Sequence, residues 1–215
     1  METTYLNDLS YEEKYNLATN EGTPAKILAV LAQDIDPWIR ESVARNKNTP
    51  VEALVMLTKD RDYNTRYAVA MANVPEEVLI QLASDDYLKV RCAVASNSNT
   101  PPFILATLAK DEDVRVRSAV AENKNTPAEV LAMLAEDEDI DVRGAVAWNK
   151  NAPVGTLVRL AGDKDYDVRC AVAKNRNTPV DVLEKLSKNK NIWISEVAKD
   201  ALKARKEKSK ANIER

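Results

Sequence analysis

The sequence predicts an all-α solenoid built from two-helix repeats of about 26 residues. Three observations carry this. The pattern LAxDxDxxVRxAVAxNxNTP recurs in register along most of the 215 residues. Within each copy the apolar positions follow a helical rather than an alternating period. A copy this short cannot bury its own apolar face, so neighbours must stack.

Starting each unit at its Thr-Pro, or at the Val-Pro and Ala-Pro that replace it in the third and sixth, the repeats are 23–48, 49–73, 74–99, 100–125, 126–151 and 152–177. Five have 26 residues, and the second has 25, having lost one from its closing turn. A half unit precedes them, with YNLATNEG (15–22) matching CAVASNSN, and a divergent unit, 178–215, follows. The expected organisation is a cap and half repeat in 1–22, then a repeat array in 23–192. That array holds six regular units and the start of a seventh. A capping helix and basic tail fill 193–215.

Each unit reads as two short helices. Thr-Pro supplies a capping side chain and a residue pre-set for the first helical position. Glu52 and Glu129, three residues after Thr49 and Thr126, complete the pattern of a capping box. The first-helix stripe is Ile27, Leu28 and Leu31 in one unit, and Val130, Leu131 and Leu134 in another. An Asp-rich turn then leads to a second stripe: Val116, Ala119 and Val120, or Val142, Ala145 and Val146. Recurrent alanines (Ala44, Ala95, Ala121) allow close helix approach, and Asn-x-Asn suits a turn. The last segment is amphipathic, apolar at Ile194, Val197, Ala198, Ala201 and Leu202, with Trp193 placed to seal the end.

Composition removes most enzyme classes. There is no histidine, so the commonest general base and metal ligand is missing. Two cysteines cannot make a soft-ligand zinc or iron–sulfur site, and no phosphate-binding glycine loop occurs. Cys92 and Cys170 share one repeat slot three units apart, too far for a disulfide, which suits a reducing compartment. No stretch is apolar enough for a membrane span, and METTYLNDLSYEEK has acids where a secretory leader needs basic residues. The expectation is a cytoplasmic protein without metal, cofactor or membrane partner. Nothing in the sequence assigns an oligomeric state.

The extended pattern LAxDxDxxVRxAVAxNxNTPxxxL resembles the leucine-rich repeat variant family of bacterial proteins over about residues 15–190. That resemblance implies a right-handed superhelix of alternating α and 3₁₀ helices. The chain is more distantly similar to HEAT repeats through an Asp and an Arg six apart, as in Asp34/Arg40 and Asp111/Arg117. Some members of the variant family carry an N-terminal cysteine cluster that binds an iron–sulfur centre. Residues 1–22 contain no cysteine, so that cofactor is not carried over. The family has no general activity to transfer, and fold alone does not specify function.

Four sets of residues are candidates for function. The repeated arginines have two readings, a phosphate-binding column or a ladder with the turn aspartates; the fixed Asp–Arg spacing favours the ladder. The turns at 33–36, 59–62, 84–86, 110–113, 136–141 and 163–167 hold 17 of the chain's 34 acids, against four Lys/Arg. This acidic edge is a possible dock for a basic partner, although helix capping explains many of its aspartates. The opposite edge carries Arg45, Lys47, Lys124, Lys150, Lys174 and Arg176, with only Glu122 opposing them. With the basic tail it is the alternative site, for nucleic acid, but its cation column is broken and lacks interleaved aromatics.

The aromatic set is the most informative. Trp38 precedes its Ile-Arg pair, Tyr67 follows its Arg, and Met71 and Trp148 occupy a slot elsewhere filled by Arg45, Ser96, Glu122 and Lys174. Variable residues on a repeating framework are where such proteins recognise partners. The sequence therefore points to a non-enzymatic scaffold that binds a protein partner through a concave face bearing Trp38, Tyr67, Met71 and Trp148, the acidic edge, or both.

Overall fold

The computed structural model describes residue 6 and residues 8–213, with side chains through residue 207. Among the described residues the long regular elements are all helices. The chain forms two compact units, Met1–Ile104 and Leu105–Arg215. In the first, α1 (Tyr11–Thr19) is the half repeat. The pairs α2 (Ala25–Leu31) and α3 (Pro37–Arg45), α4 (Val51–Leu57) and α5 (Tyr63–Met71), and α6 (Glu76–Leu82) and α7 (Leu88–Ser96) follow. The boundary falls inside α8 (Pro102–Leu108). The second unit contains α9 (Val114–Glu122), α10 (Ala128–Leu134), α11 (Ile140–Trp148), α12 (Val154–Leu160), α13 (Tyr166–Lys174), α14 (Val180–Leu186) and α15 (Ile192–Ile213).

Within the first unit the nine-residue second helices lie side by side, α3 between α1 and α5 and α5 next to α7. Within the second unit α11 lies between α9 and α13, and α13 also packs on α15. The seven-residue first helices bury Leu28 and Leu31 in α2, and Leu131 and Leu134 in α10; the second helices bury Ile39 and Val43 in α3, and Val142 and Val146 in α11. Each such side chain contributes about 1.5–3 kcal/mol by leaving water. Ala44 and Ala121 are fully buried where the second helices meet. Ile27 and Ala119, at the edges of their stripes, are half-buried. Both helices of each repeat are α rather than alternating α and 3₁₀. Bonding of the i→i+3 kind is confined to the turn that closes the first helix, where Gln33 and Asp34 donate to the carbonyls three residues back.

Thr-Pro starts the first helix differently from the expected cap. Proline, not threonine, holds the cap position at Pro50 and Pro127, and neither helix has a side-chain cap. The Thr49 hydroxyl instead donates to the Val43 carbonyl at 2.6 Å, inside the core. Thr23, Thr126 and Thr178 make the same bond to Leu17, Val120 and Val172. The reason is that a buried terminal carbonyl of the preceding helix has no water to turn to, whereas the amides of the next helix are near the surface. The capping boxes expected of Glu52 and Glu129 therefore do not form.

The C-terminal end also differs from expectation. Ile194 and Ala198 are buried, but Trp193 is 73% exposed and seals nothing. Arg205 does the sealing: its guanidinium donates to the carbonyls of Asn175, Arg176 and Thr178 in the last Asn-x-Asn turn. The basic tail beyond residue 207 lies outside the described side chains.

Candidate interaction face

The arginines are structural. Arg40 binds Asp60 of the next repeat through Nε at 2.5 Å and Nη2 at 2.9 Å, while its Nη1 takes the Asp34 carbonyl of its own turn. Arg66–Asp85, Arg117–Asp137 and Arg143–Asp163 repeat the arrangement. The carboxylate comes from the following repeat, and the arginine's own turn contributes backbone oxygen. Lys14 takes the arginine's place in the half repeat and pairs with Asp34 at 2.9 Å. At the far end Arg169 bonds the carbonyls of Asp163 and Lys164, and the next slot holds Asn189 in place of an aspartate. Burial acts to raise the Asp137 pKa, but the bonds from Arg117 and the Asp139 amide outweigh it and hold the carboxyl below its ordinary range.

Most of the acidic edge has a local task as well. Asp60, Asp85, Asp137 and Asp163, each the first aspartate of its turn, accept from an arginine and from the amide two residues on, as in Asp163 with the Asp165 amide. The third caps the second helix: Asp36 accepts from the Trp38 amide, Asp139 from Asp141 and Asp165 from Asp167. In EDEDID, Asp137 and Asp139 are thus committed, and Glu136 pairs with Arg159. The basic edge is compensated in the first unit, where Arg45 pairs with Glu41 at 2.7 Å and Lys47 with Glu21. In the second unit Lys124, Lys150 and Arg176 are exposed, and the Lys174 ammonium lies 5.5 Å from the centre of the Trp148 ring.

The variable positions line the outward face of the second helices at i, i+3 and i+7. In the first unit these are Trp38, Glu41 and Arg45 on α3, and Asn64, Tyr67 and Met71 on α5. Trp38 is 64% and Met71 52% exposed, while Tyr67 is half-buried. Trp38 walls a groove of about 320 Å³ with Tyr15, Glu41 and Arg45. In the second unit Asp141, Gly144 and Trp148 hold the same positions on α11. They line an open groove of about 720 Å³ with Glu122 of α9 and Asp167 of α13, and Trp148 is 57% exposed. Aromatic content led to Trp148; Gly144 and the carboxylates around it were missed as a group. The signal was a glycine in a slot that carries Glu41, Tyr67, Cys92, Ser118 and Cys170 elsewhere.

This geometry defines an α-helical tandem-repeat protein of the solenoid class, with a uniform framework and a variable face. The family model for the leucine rich repeat variant matches residues 88–113 and 114–139, two consecutive 26-residue windows that begin at a second helix. A solved structure described as a leucine-rich repeat variant with a novel repetitive structural motif is 30% identical, with a TM-score of 0.70. The match covers 92% of this chain and 79% of that one. The chain belongs to the leucine-rich repeat variant family. YIBA of Escherichia coli superposes at a TM-score of 0.48 and 19% identity, over 91% of this chain and 97% of its own. An engineered protein superposes at 0.45 and 18%, over 92% and 76%. A search of curated proteins finds no match.

Proposed function

We propose that the protein is a non-enzymatic cytoplasmic scaffold that binds a protein partner through the outward face of its second helices, at Trp38, Tyr67, Met71 and Trp148. The observation that carries this reading is the exposure of Trp38, Met71 and Trp148 on helices whose other positions are committed. Leucine and valine fill the core, arginine and aspartate join repeats, and threonine and asparagine close the turns. Large rings on a rigid surface provide contact area with little loss of side-chain freedom. Burial pushes the Cys170 thiol pKa up, as suits a protonated thiol in a reducing compartment. The nucleic-acid alternative draws less support, because Arg45 and Lys47 already face carboxylates.

The test is capture of the partner from a source lysate on immobilised protein, with and without nuclease, using Trp38→Ala and Trp148→Ala. Both variants should melt as the parent does and bind the partner more weakly by more than about 1 kcal/mol. Capture that is indifferent to both substitutions, or that nuclease abolishes, overturns the reading.

A further inference from the structure

We propose that the groove over Gly144 receives an arginine or lysine side chain carried on an extended segment of the protein partner. The inference rests on the scaffold reading above and names the chemistry of what the second unit binds.

Gly144 leaves part of the groove floor open. Asp141, Gly144 and Trp148 form a single face of α11, and no atom lies within 4 Å of where a Gly144 side chain would begin. The floor is therefore open where other repeats carry a side chain. Its volume of about 720 Å³ falls within the roughly 300–1,000 Å³ usual for a binding pocket. That is far more than one guanidinium needs, so the flanking peptide backbone fits with it.

The lining is complementary to a cation. Glu122, Asp141 and Asp167 line the groove from the second helices of three successive repeats, α9, α11 and α13, and no lysine or arginine lines it. Arg115, on an adjoining hollow, is held to Asp113 at 2.8 Å. Carboxylates around a concave, partly apolar surface focus their field into it. Trp148 closes the groove with an exposed ring, and ring faces attract ammonium and guanidinium groups. This ring already takes Lys174, which is not part of the groove lining. The comparable groove beside Trp38 differs, because Glu41 and Glu21 there are matched by Arg45 and Lys47. The phosphates of a nucleic acid would meet three like charges.

The probes are a fluorescein-labelled glycine–arginine peptide, its citrulline counterpart of the same shape without charge, and a single-stranded oligonucleotide. Anisotropy is read with the full chain, Asp141→Asn/Asp167→Asn, Gly144→Val and Trp193→Ala. The arginine peptide should bind about tenfold more tightly than the citrulline peptide, and each groove variant should remove about that factor while melting normally. Trp193→Ala, an exposed ring outside the proposed binding face, should leave peptide binding unchanged. Equal affinity for the two peptides, binding that survives both groove variants, or preference for the oligonucleotide overturns the assignment. Should that happen while Trp148→Ala still weakens the captured partner, the groove assignment falls and the scaffold reading stands.

Discussion

Arg117 holds Asp137 of the following repeat in a two-pronged pair, Nε to Oδ2 at 2.7 Å and Nη2 to Oδ1 at 3.0 Å. Its third nitrogen, Nη1, takes the Asp111 carbonyl at 3.0 Å. One side chain thus closes its own turn and ties it to the next. Arg117→Ala should leave Asp137, whose side chain is only 9% exposed, without its charge partner. The expected loss is about 1–3 kcal/mol in urea unfolding. Arg117→Lys should recover only part of it, because an ammonium cannot reproduce the planar two-pronged geometry. An unchanged unfolding midpoint for Arg117→Ala would return the arginines to the list of ligand-binding candidates.

The same pairs set the response to acid. Asp34, Asp60, Asp137 and Asp163 all have pKa values held below the ordinary carboxylate range; burial opposes this, and arginine, lysine and amide bonds outweigh it. A carboxyl depressed in the folded state adds stability that is full above the unfolded value, about 3.9, and is lost as pH falls through the folded value. Melting temperature should be level between about pH 7 and 5 and decline below about pH 4. Arg117→Ala should flatten that decline, since one depressed group is then relaxed.

Thr65 occupies the slot filled by Ile39, Val90, Val116, Val142 and Val168, and it is fully buried. Its hydroxyl oxygen has no hydrogen-bond partner. Thr65→Val keeps the shape and removes the unsatisfied group, so it should raise stability by about 1 kcal/mol. A calorimetric scan that shows a lower melting temperature for Thr65→Val would contradict this.

The repeat, the helix pairs and the ladder are legible in the sequence because each depends on short-range periodicity. Asp and Arg six apart announce a bond, although spacing cannot say that the carboxylate comes from the next repeat. Threonine was misread for a similar reason. Thr-Pro is a common helix start, and only packing reveals that the Thr49 hydroxyl is turned back to a buried carbonyl. Trp193 sits in the slot of Trp38 and shares its exposure, so register was the better guide to it than its apolar character. The groove over Gly144 was hidden because an absent side chain leaves little trace in a composition.

Asn149 shows what the closing turn does. Its Nδ2 donates to the Ala121 carbonyl at 2.6 Å and the Asn123 carbonyl at 3.1 Å of the preceding repeat, and its Oδ1 accepts from the Asn151 amide. Asn149→Ala should cost about 1–3 kcal/mol, since it takes the side-chain donor from the buried Ala121 carbonyl, whereas the Asn123 carbonyl keeps the Thr126 amide. Among the six regular repeats the chain carries this substitution at one place: Ala72 stands in that slot of the shortened repeat. Hydrogen exchange should therefore be faster for amides at 72–74 than for their counterparts around Asn149, and equal protection would show that the asparagine is dispensable.

Gly144 lies in the middle of α11, where glycine is a poor helix former, so the groove floor carries an energetic cost. A side chain built there meets nothing within 4 Å, and replacement brings no clash. Gly144→Ala should stabilise the protein by about 0.5–1 kcal/mol, through reduced freedom of the unfolded chain and better helix propensity. The gain should appear as a higher urea midpoint with an unchanged slope, because the buried surface stays the same. Gly155, near the start of α12, is likewise unobstructed and serves as the control. Gly155→Ala should stabilise by a similar amount and leave the groove untouched. If both substitutions stabilise and only Gly144→Ala weakens binding of an arginine peptide, the glycine of α11 is kept for its open floor and not for its backbone. If Gly144→Ala destabilises, the space above α11 is closed in solution and the groove is not the binding surface.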